Sequence, residues 1–240
     1  MFLLRCLFRI WVVVISAGIF FFPLDNIYAQ CPQVEAIMVD ACVIGQEHNN
    51  EFLIINSGGG FNTNDIQLSY DINNVLANAQ NNDINIDIGN YVGDPTPCGL
   101  TNGNINAYSG CSNLISIGPG FNVPPNSIVV LQASAGSTTN AYNFTNLCGS
   151  GQCVYVISSS CIRTAGGFTN SGSGTRETIF QIAGGCNQTI IYDRALLVGG
   201  DGAFYIPLST SYGNNGCVVP PSSPAPNPTI PQFTLSLIHI

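Results

Sequence analysis

Few residues of this 240-residue chain have side chains suited to bond-breaking chemistry. There are two histidines, His48 and His239, and no lysine. A hydrolase needs an activated nucleophile or paired carboxylates. His48 lies in the stretch Gln46-Glu47-His48-Asn49-Asn50-Glu51, and no Gly-x-Ser-x-Gly elbow occurs. Gly172-Ser173-Gly174 sits in a Gly/Ser loop without the flanks that such an elbow requires. His48 therefore reads as a solvated loop residue, with a hydrolase built around it as the alternative. Glu51 reads as a structural carboxylate that accepts backbone N–H groups where a strand begins. Its alternative is a calcium site shared with Asp40 and Glu47. Asp83, Asn85 and Asp87 alternate with isoleucine and fall on one strand face. They read as its wet side, with an oxygen set for Ca²⁺ or sugar hydroxyls as the sharper version. Tyr91, Tyr108, Tyr142 and Tyr212 fall in predicted loops, as core anchors or as rings to stack on a pyranose.

Cysteine is the most abundant reactive residue, ten in all. Past residue 30 the nine are Cys31, Cys42, Cys98, Cys111, Cys148, Cys153, Cys161, Cys186 and Cys217. The absence of Cys-x₂-Cys argues against zinc, and the number argues for disulfides in an exported chain. Connectivity stays open from sequence alone. Local spacing suggests Cys148 with Cys153 across a flexible tip, and Cys98 with Cys111 across a Gly/Asn-rich excursion. Cys161 with Cys186 would join two adjacent strands, and Cys31 with Cys217 would join the ends of the domain, leaving Cys42 over.

Charged residues make up 8% of the chain, about a third of the usual share. The five basic residues, all arginine, against thirteen acidic ones give a net charge of −8. A phosphate-binding surface of Lys and Arg is excluded, and nucleic acid with it. Asparagine (27) and glycine (26) supply the polarity instead.

The ends differ from the middle. Arg5 and Arg9 followed by the apolar run Ile10 to Phe22 read as a secretory signal over residues 1–29, cleaved before Gln30. This gives a secreted or cell-surface location, with membrane contact only during export. Residues 218–234 form a Pro/Ser-rich segment that reads as an extended linker unable to pack a core. Residues 235–240, Leu-Ser-Leu-Ile-His-Ile, read as the translation of a sequencing adapter, so the frame is expected to be a truncated one and His239 carries no role.

Between the ends, short apolar runs are separated by Gly, Asn, Ser and Pro. Strands are predicted at Val34–Ile44, Glu51–Asn56, Asp65–Ile72, Asp83–Ile88, Leu114–Ile117, Ser127–Gln132, Cys153–Ser158, Glu177–Ile182, Gln188–Asp193 and Ala203–Ile206. The best helix candidate, Asn73 to Asn82, is spoiled by its asparagines. Many short strands with frequent turn signals point to an all-β sandwich or barrel with long loops.

Three stretches stand out together: Ile37-Met38-Val39-Asp40-Ala41-Cys42 followed by Asn49–Asn56, Gly118–Leu131 with its Pro-Gly turn, and Gln188–Asp193. In this order they resemble lamin-tail domains. The order Gln30–Pro32, Val39–Cys42, Asn50–Glu51, Tyr155–Ile157, Thr189–Arg194 and Asn214–Cys217 is similar to the N-terminal domain of secreted Bacteroidetes surface and gliding-motility-associated proteins. The resemblance implies an immunoglobulin-like β-sandwich over residues 30–217, without catalysis. It also implies further domains beyond the linker. The expected function is extracellular adhesion, interaction or architecture, with a glycan or protein as partner and no cofactor. The alternative is the carbohydrate-binding module of a secreted enzyme.

Overall fold

A computed structural model describes residues 30–43, 47–70, 99–148, 152–160, 168, 170 and 172–220; of residues 47, 48, 69 and 70 it describes only the backbone. The expected signal segment, the Asn73–Asn82 and Asp83–Ile88 segments, Tyr91, Cys98, Cys161 and everything after residue 220 lie outside the described residues.

The described chain is largely β. In order it runs β1 (Gln33–Asp40), a short helix α1 (Glu47–Asn50), β2 (Phe52–Asn56), β3 (Phe61–Asn62), β4 (Ile66–Tyr70) and β5 (Leu100–Asn102). Then come β6 (Tyr108–Ser109), β7 (Leu114–Ser116), β8 (Asn122–Val123), β9 (Ile128–Gln132), β10 (Tyr142–Asn143) and α2 (Thr145–Cys148). The remainder is β11 (Val154–Ser159), β12 (Thr175–Ile182), β13 (Cys186–Asp193), β14 (Ala203–Ile206) and β15 (Ser211–Asn214).

The main sheet has eight strands, in the order β15-β14-β1-β2-β9-β11-β5, with β7 sharing the outer edge of β11. Its pairings are antiparallel except where β11 lies parallel to β9 and to β7. A second sheet has the order β13-β12-β4 and is antiparallel throughout. Two small pairs, β3 with β8 and β6 with β10, complete the set.

The two sheets read differently in sequence because they are buried differently. In β12, Arg176, Thr178, Phe180 and Ile182 are buried and the residues between them are not, the period-two pattern of a strand with one wet face. In β9 and β11 every residue is buried. Their continuous runs, Ile-Val-Val-Leu and Val-Tyr-Val-Ile, are what a strand covered on both faces needs. One face of the main sheet (Ile37, Val39, Leu53, Ile55, Val129, Leu131, Ile157) shares a core with Ile66, Leu68, Phe180 and Tyr192 of the second sheet. The opposite face (Met38, Phe52, Ile54, Val130, Val156) is covered by Tyr108, Tyr142, Phe144, Leu147 and Val219.

Strand β1 serves both cores through a bulge. Register slips between Val34 and Ala36, so Val34 joins Ile37 and Val39 on one face while Ala36 and Met38 face the other way. The backbone of Val34 is satisfied from the second sheet. Its N–H donates to Gln188 Oε1 at 2.6 Å, and Gln188 Nε2 donates back to its carbonyl at 3.3 Å.

Three disulfides are formed among the described residues, and they differ from the pairs that spacing suggested. Cys31 bonds Cys186, with 5.5 Å between Cα atoms, at the corner where β1 and β13 begin. Cys42 bonds Cys217 at 5.7 Å, because β14 and β15 lie beside β1 and bring the end of the domain close to the segment that follows that strand. Cys111 bonds Cys148 at 5.6 Å, because the parallel pair of β6 and β10 carries the chain that follows each strand the same way. Thus Cys31–Cys217, Cys98–Cys111, Cys148–Cys153 and Cys161–Cys186 are all replaced, and Cys42 is not left over. Cys153 is also disulfide-bonded, with its partner outside the described residues, and no described cysteine is free. The folded part reaches past Cys217. Val219 is fully buried, its N–H donates to the Asn143 carbonyl at 3.0 Å, and its own carbonyl accepts from Asn146 Nδ2 at 2.9 Å. The first residues of the Pro/Ser-rich segment therefore pack a core, because two valines precede its prolines.

Candidate functional site

The side chains singled out from sequence gather mainly where β1 ends and β2 begins. Glu51 is 3% exposed, and its Oε2 accepts the Phe168 N–H at 3.0 Å. Asp40 Oδ1 accepts from Asn170 Nδ2 at 2.8 Å. Asn50, also 3% exposed, donates to the Cys42 carbonyl at 3.0 Å while its Oδ1 accepts the N–H and the hydroxyl of Thr138 at 2.8 and 3.0 Å. Asn49 accepts from Ser134 at its amide oxygen and from Ser137 at its carbonyl. Each of these groups ties a strand entry or exit to a loop far away in sequence, which is a positioning task. Buried polar groups left without partners would be costly, and here they are met by backbone and side-chain partners.

Glu47 and His48 lie on α1, and their side chains are outside the described residues. Among the described residues no group of three or more His, Cys, Asp or Glu stands close enough to hold a metal ion. Gly172-Ser173-Gly174 leads into β12, and Arg194 wraps it by donating to the Ser173 and Gly174 carbonyls.

The tyrosines divide. Tyr108 and Tyr142 are 7% and 1% exposed and belong to β6 and β10, not to loops. They pack around Phe52, whose ring centroid stands 4.9 Å from Tyr142, 5.8 Å from Tyr108 and 5.6 Å from Phe144. The Tyr142 hydroxyl accepts the Cys42 N–H at 2.8 Å. Tyr212 lies on β15, and its hydroxyl accepts the Asp193 N–H at 2.7 Å, linking the two sheets. None of these three is placed as an exposed stacking platform.

Two features escaped the sequence reading. The first is Gln132, fully buried at the end of β9. Its side-chain amide pairs with Asn104 as a strand backbone would, accepting the Asn104 N–H at 2.8 Å and donating to the Asn104 carbonyl at 3.0 Å. It also bonds the Tyr108 hydroxyl. The second is an open groove of about 610 Å³ beside the Cys111–Cys148 bond, lined from segments 105–108, 111–114 and 139–140. Nothing in its composition flags it, since Asn, Ser and Thr are spread along the whole chain.

Comparison with protein-family profiles, curated proteins and solved structures found no match to this chain. The function must therefore be argued from the residues themselves.

Burial pushes the phenols of Tyr108 and Tyr142 far above their ordinary value of 10.0, and the hydrogen bonds from Gln132 and Cys42 only partly offset it. The sign follows from proton binding. The folded state keeps these protons where the unfolded chain releases them, so their contribution to stability is whole below about pH 10 and falls as pH rises further. In a titration followed by phenolate absorbance, Tyr108 and Tyr142 are expected to ionise only with unfolding. Full ionisation near pH 10 with the fold intact would contradict this placement.

Proposed function

We propose that residues 30–220 form a non-catalytic extracellular domain for interaction, adhesion or architecture, of the immunoglobulin-like, lamin-tail type, exported by residues 1–29. The observation that carries this reading is the pair of long-range disulfides, Cys31–Cys186 and Cys42–Cys217, separated by 155 and 175 residues. Bonds of this kind persist in oxidising compartments. The two sheets share a core as the layers of a sandwich do. The carboxylates of Asp40 and Glu51 support the non-catalytic part, because both hold loop segments in place. A saccharide-binding module is the second reading, and the neutral groove beside Cys111–Cys148 favours it.

The test is to express the full chain with its N-terminus intact, recover it from outside the cytoplasm, and alkylate it without reductant. Intact mass should show no alkylation at Cys31, Cys42, Cys111, Cys148, Cys186 or Cys217. A chain retained in the cytoplasm with these thiols free would overturn the extracellular reading. Turnover of ester, peptide or glycoside substrates that disappears in His48→Ala would overturn the non-catalytic one.

A further inference from the structure

The geometry points to the groove beside the Cys111–Cys148 bond as a binding site for a neutral saccharide. This inference rests on the interaction reading above and names its ligand class. Its volume, about 610 Å³, is in the range of small-ligand sites. The lining carries no charged side chain. A phosphate or carboxylate ligand would need a cation there, and a metal ion would need carboxylates.

What the groove offers instead is neutral on both counts. Asn106, Ser112, Thr139 and Asn140 present amides and hydroxyls, while Ile105, Leu114 and the disulfide present apolar surface. A sugar ring has the matching make-up, hydroxyls around its rim and C–H groups on its faces. An amide supplies a donor and an acceptor side by side, as a pair of neighbouring hydroxyls requires. Among the described residues the side-chain amides of Asn106 and Asn140 and the Thr139 hydroxyl bond nothing in the protein, and all three residues are exposed. This sets them apart from Asn49, Asn50 and Asn104, whose amides are committed to structure.

The groove is also held in shape before any ligand arrives. The Asn140 N–H donates to the Asn106 carbonyl at 2.8 Å, which fixes one rim segment against the other. Asn104 anchors the turn before Asn106 through Gln132 and through its Nδ2 bond to the Ser137 carbonyl at 2.8 Å. Asn140 adopts φ 55°, a left-handed conformation that glycine would take with less strain. An asparagine there keeps an amide at the rim at the cost of that strain. A preformed site loses less free energy of ordering on binding.

The experiment uses the oxidised, exported full chain against immobilised neutral glucans, mannans, xylans and galactans. An acidic polysaccharide and an unstructured peptide surface serve as the contrasting arms, and mass spectrometry follows the glycans. At least one neutral glycan should bind. Asn106→Ala/Asn140→Gly should weaken that binding about tenfold or more with the melting temperature unchanged, since both positions are exposed and glycine suits the second. Asn106→Asp, which keeps the shape and removes the amide donor, should weaken it as well. No binding to any neutral glycan, binding only in the acidic or peptide arm, or binding unchanged in both variants would overturn the groove and leave the interaction reading standing. Shortened glycans in the mass spectrum would overturn the non-catalytic reading and leave the groove standing.

Discussion

Phe52→Ala is expected to destabilise the domain by about 3–5 kcal/mol, the usual cost of emptying a buried aromatic site. Phe52 has no exposed surface and stands on β2 opposite Met38 of β1 and Gln132 of β9. Its ring meets Tyr142 edge-on at 90°, Tyr108 at 72° and Phe144 at 57°, while Tyr108 and Phe144 stack on each other at 3.8 Å. The covering layer on this face is therefore centred on one side chain of the sheet. It consists of strands of two residues, a four-residue helix and loops, which have little ladder of their own. Losing the ring removes the surface on which that layer is docked. Phe52→Leu keeps apolar volume but loses the ring pairs, and should cost ~1–2 kcal/mol. Urea unfolding of the three proteins measures both. Near-equal stability of the alanine variant and the parent would mean that the layer is held by the Cys111–Cys148 bond and the backbone alone.

The central strands of the main sheet were legible because each is a mostly apolar run bounded by turn residues: Val34–Val39, Phe52–Ile55, Ile128–Leu131 and Val154–Ile157, whereas its strands β5 and β15 were not. Their two-sided burial was less so. A run such as Ile-Val-Val-Leu declares a buried strand without saying what covers the second face. The two-residue strands β3, β6, β8 and β10 were not legible. Their pairing depends on where long loops return, and no local pattern encodes that. The tyrosines of β6 and β10 consequently looked like loop residues.

The site was legible by residue type and not by partner. Asn50 and Glu51 stood out as an Asn-Glu pair ahead of an apolar strand, and both are deeply buried. Their targets, Thr138 and Phe168, lie 88 and 117 residues away, and only the folded topology brings them close. Cysteine pairing failed for the same reason. Spacing favours short loops, whereas sheet order decides which strand ends meet. Gln132 gave no signal at all, since a glutamine ending an apolar run is as easily a solvated strand end.

The disulfides should therefore differ in effect according to what each holds. Removing Cys42–Cys217 as Cys42→Ala/Cys217→Ala is expected to cost about 3–5 kcal/mol, and removing Cys111–Cys148 about 2–4 kcal/mol. In the chain-entropy view the longer closed loop restrains the unfolded chain more, and the separations are 175 and 37 residues. A second term adds to the first bond. Cys42 is fully buried, and two residues after Cys217 comes Val219, which is buried in the same cluster as Phe52. The strap is otherwise held by the Asn143 N–H to Cys217 carbonyl bond at 2.8 Å, the return bond from Val219 and the Asn146 side chain. Without the crosslink, residues 217–220 should be cut by protease before the domain unfolds, a change that removal of Cys111–Cys148 should not produce. Denaturant midpoints and the order of proteolytic cleavage read the two terms separately. Equal midpoints with early cleavage would assign the bond to the strap alone. Unequal midpoints without early cleavage would assign it to the unfolded chain.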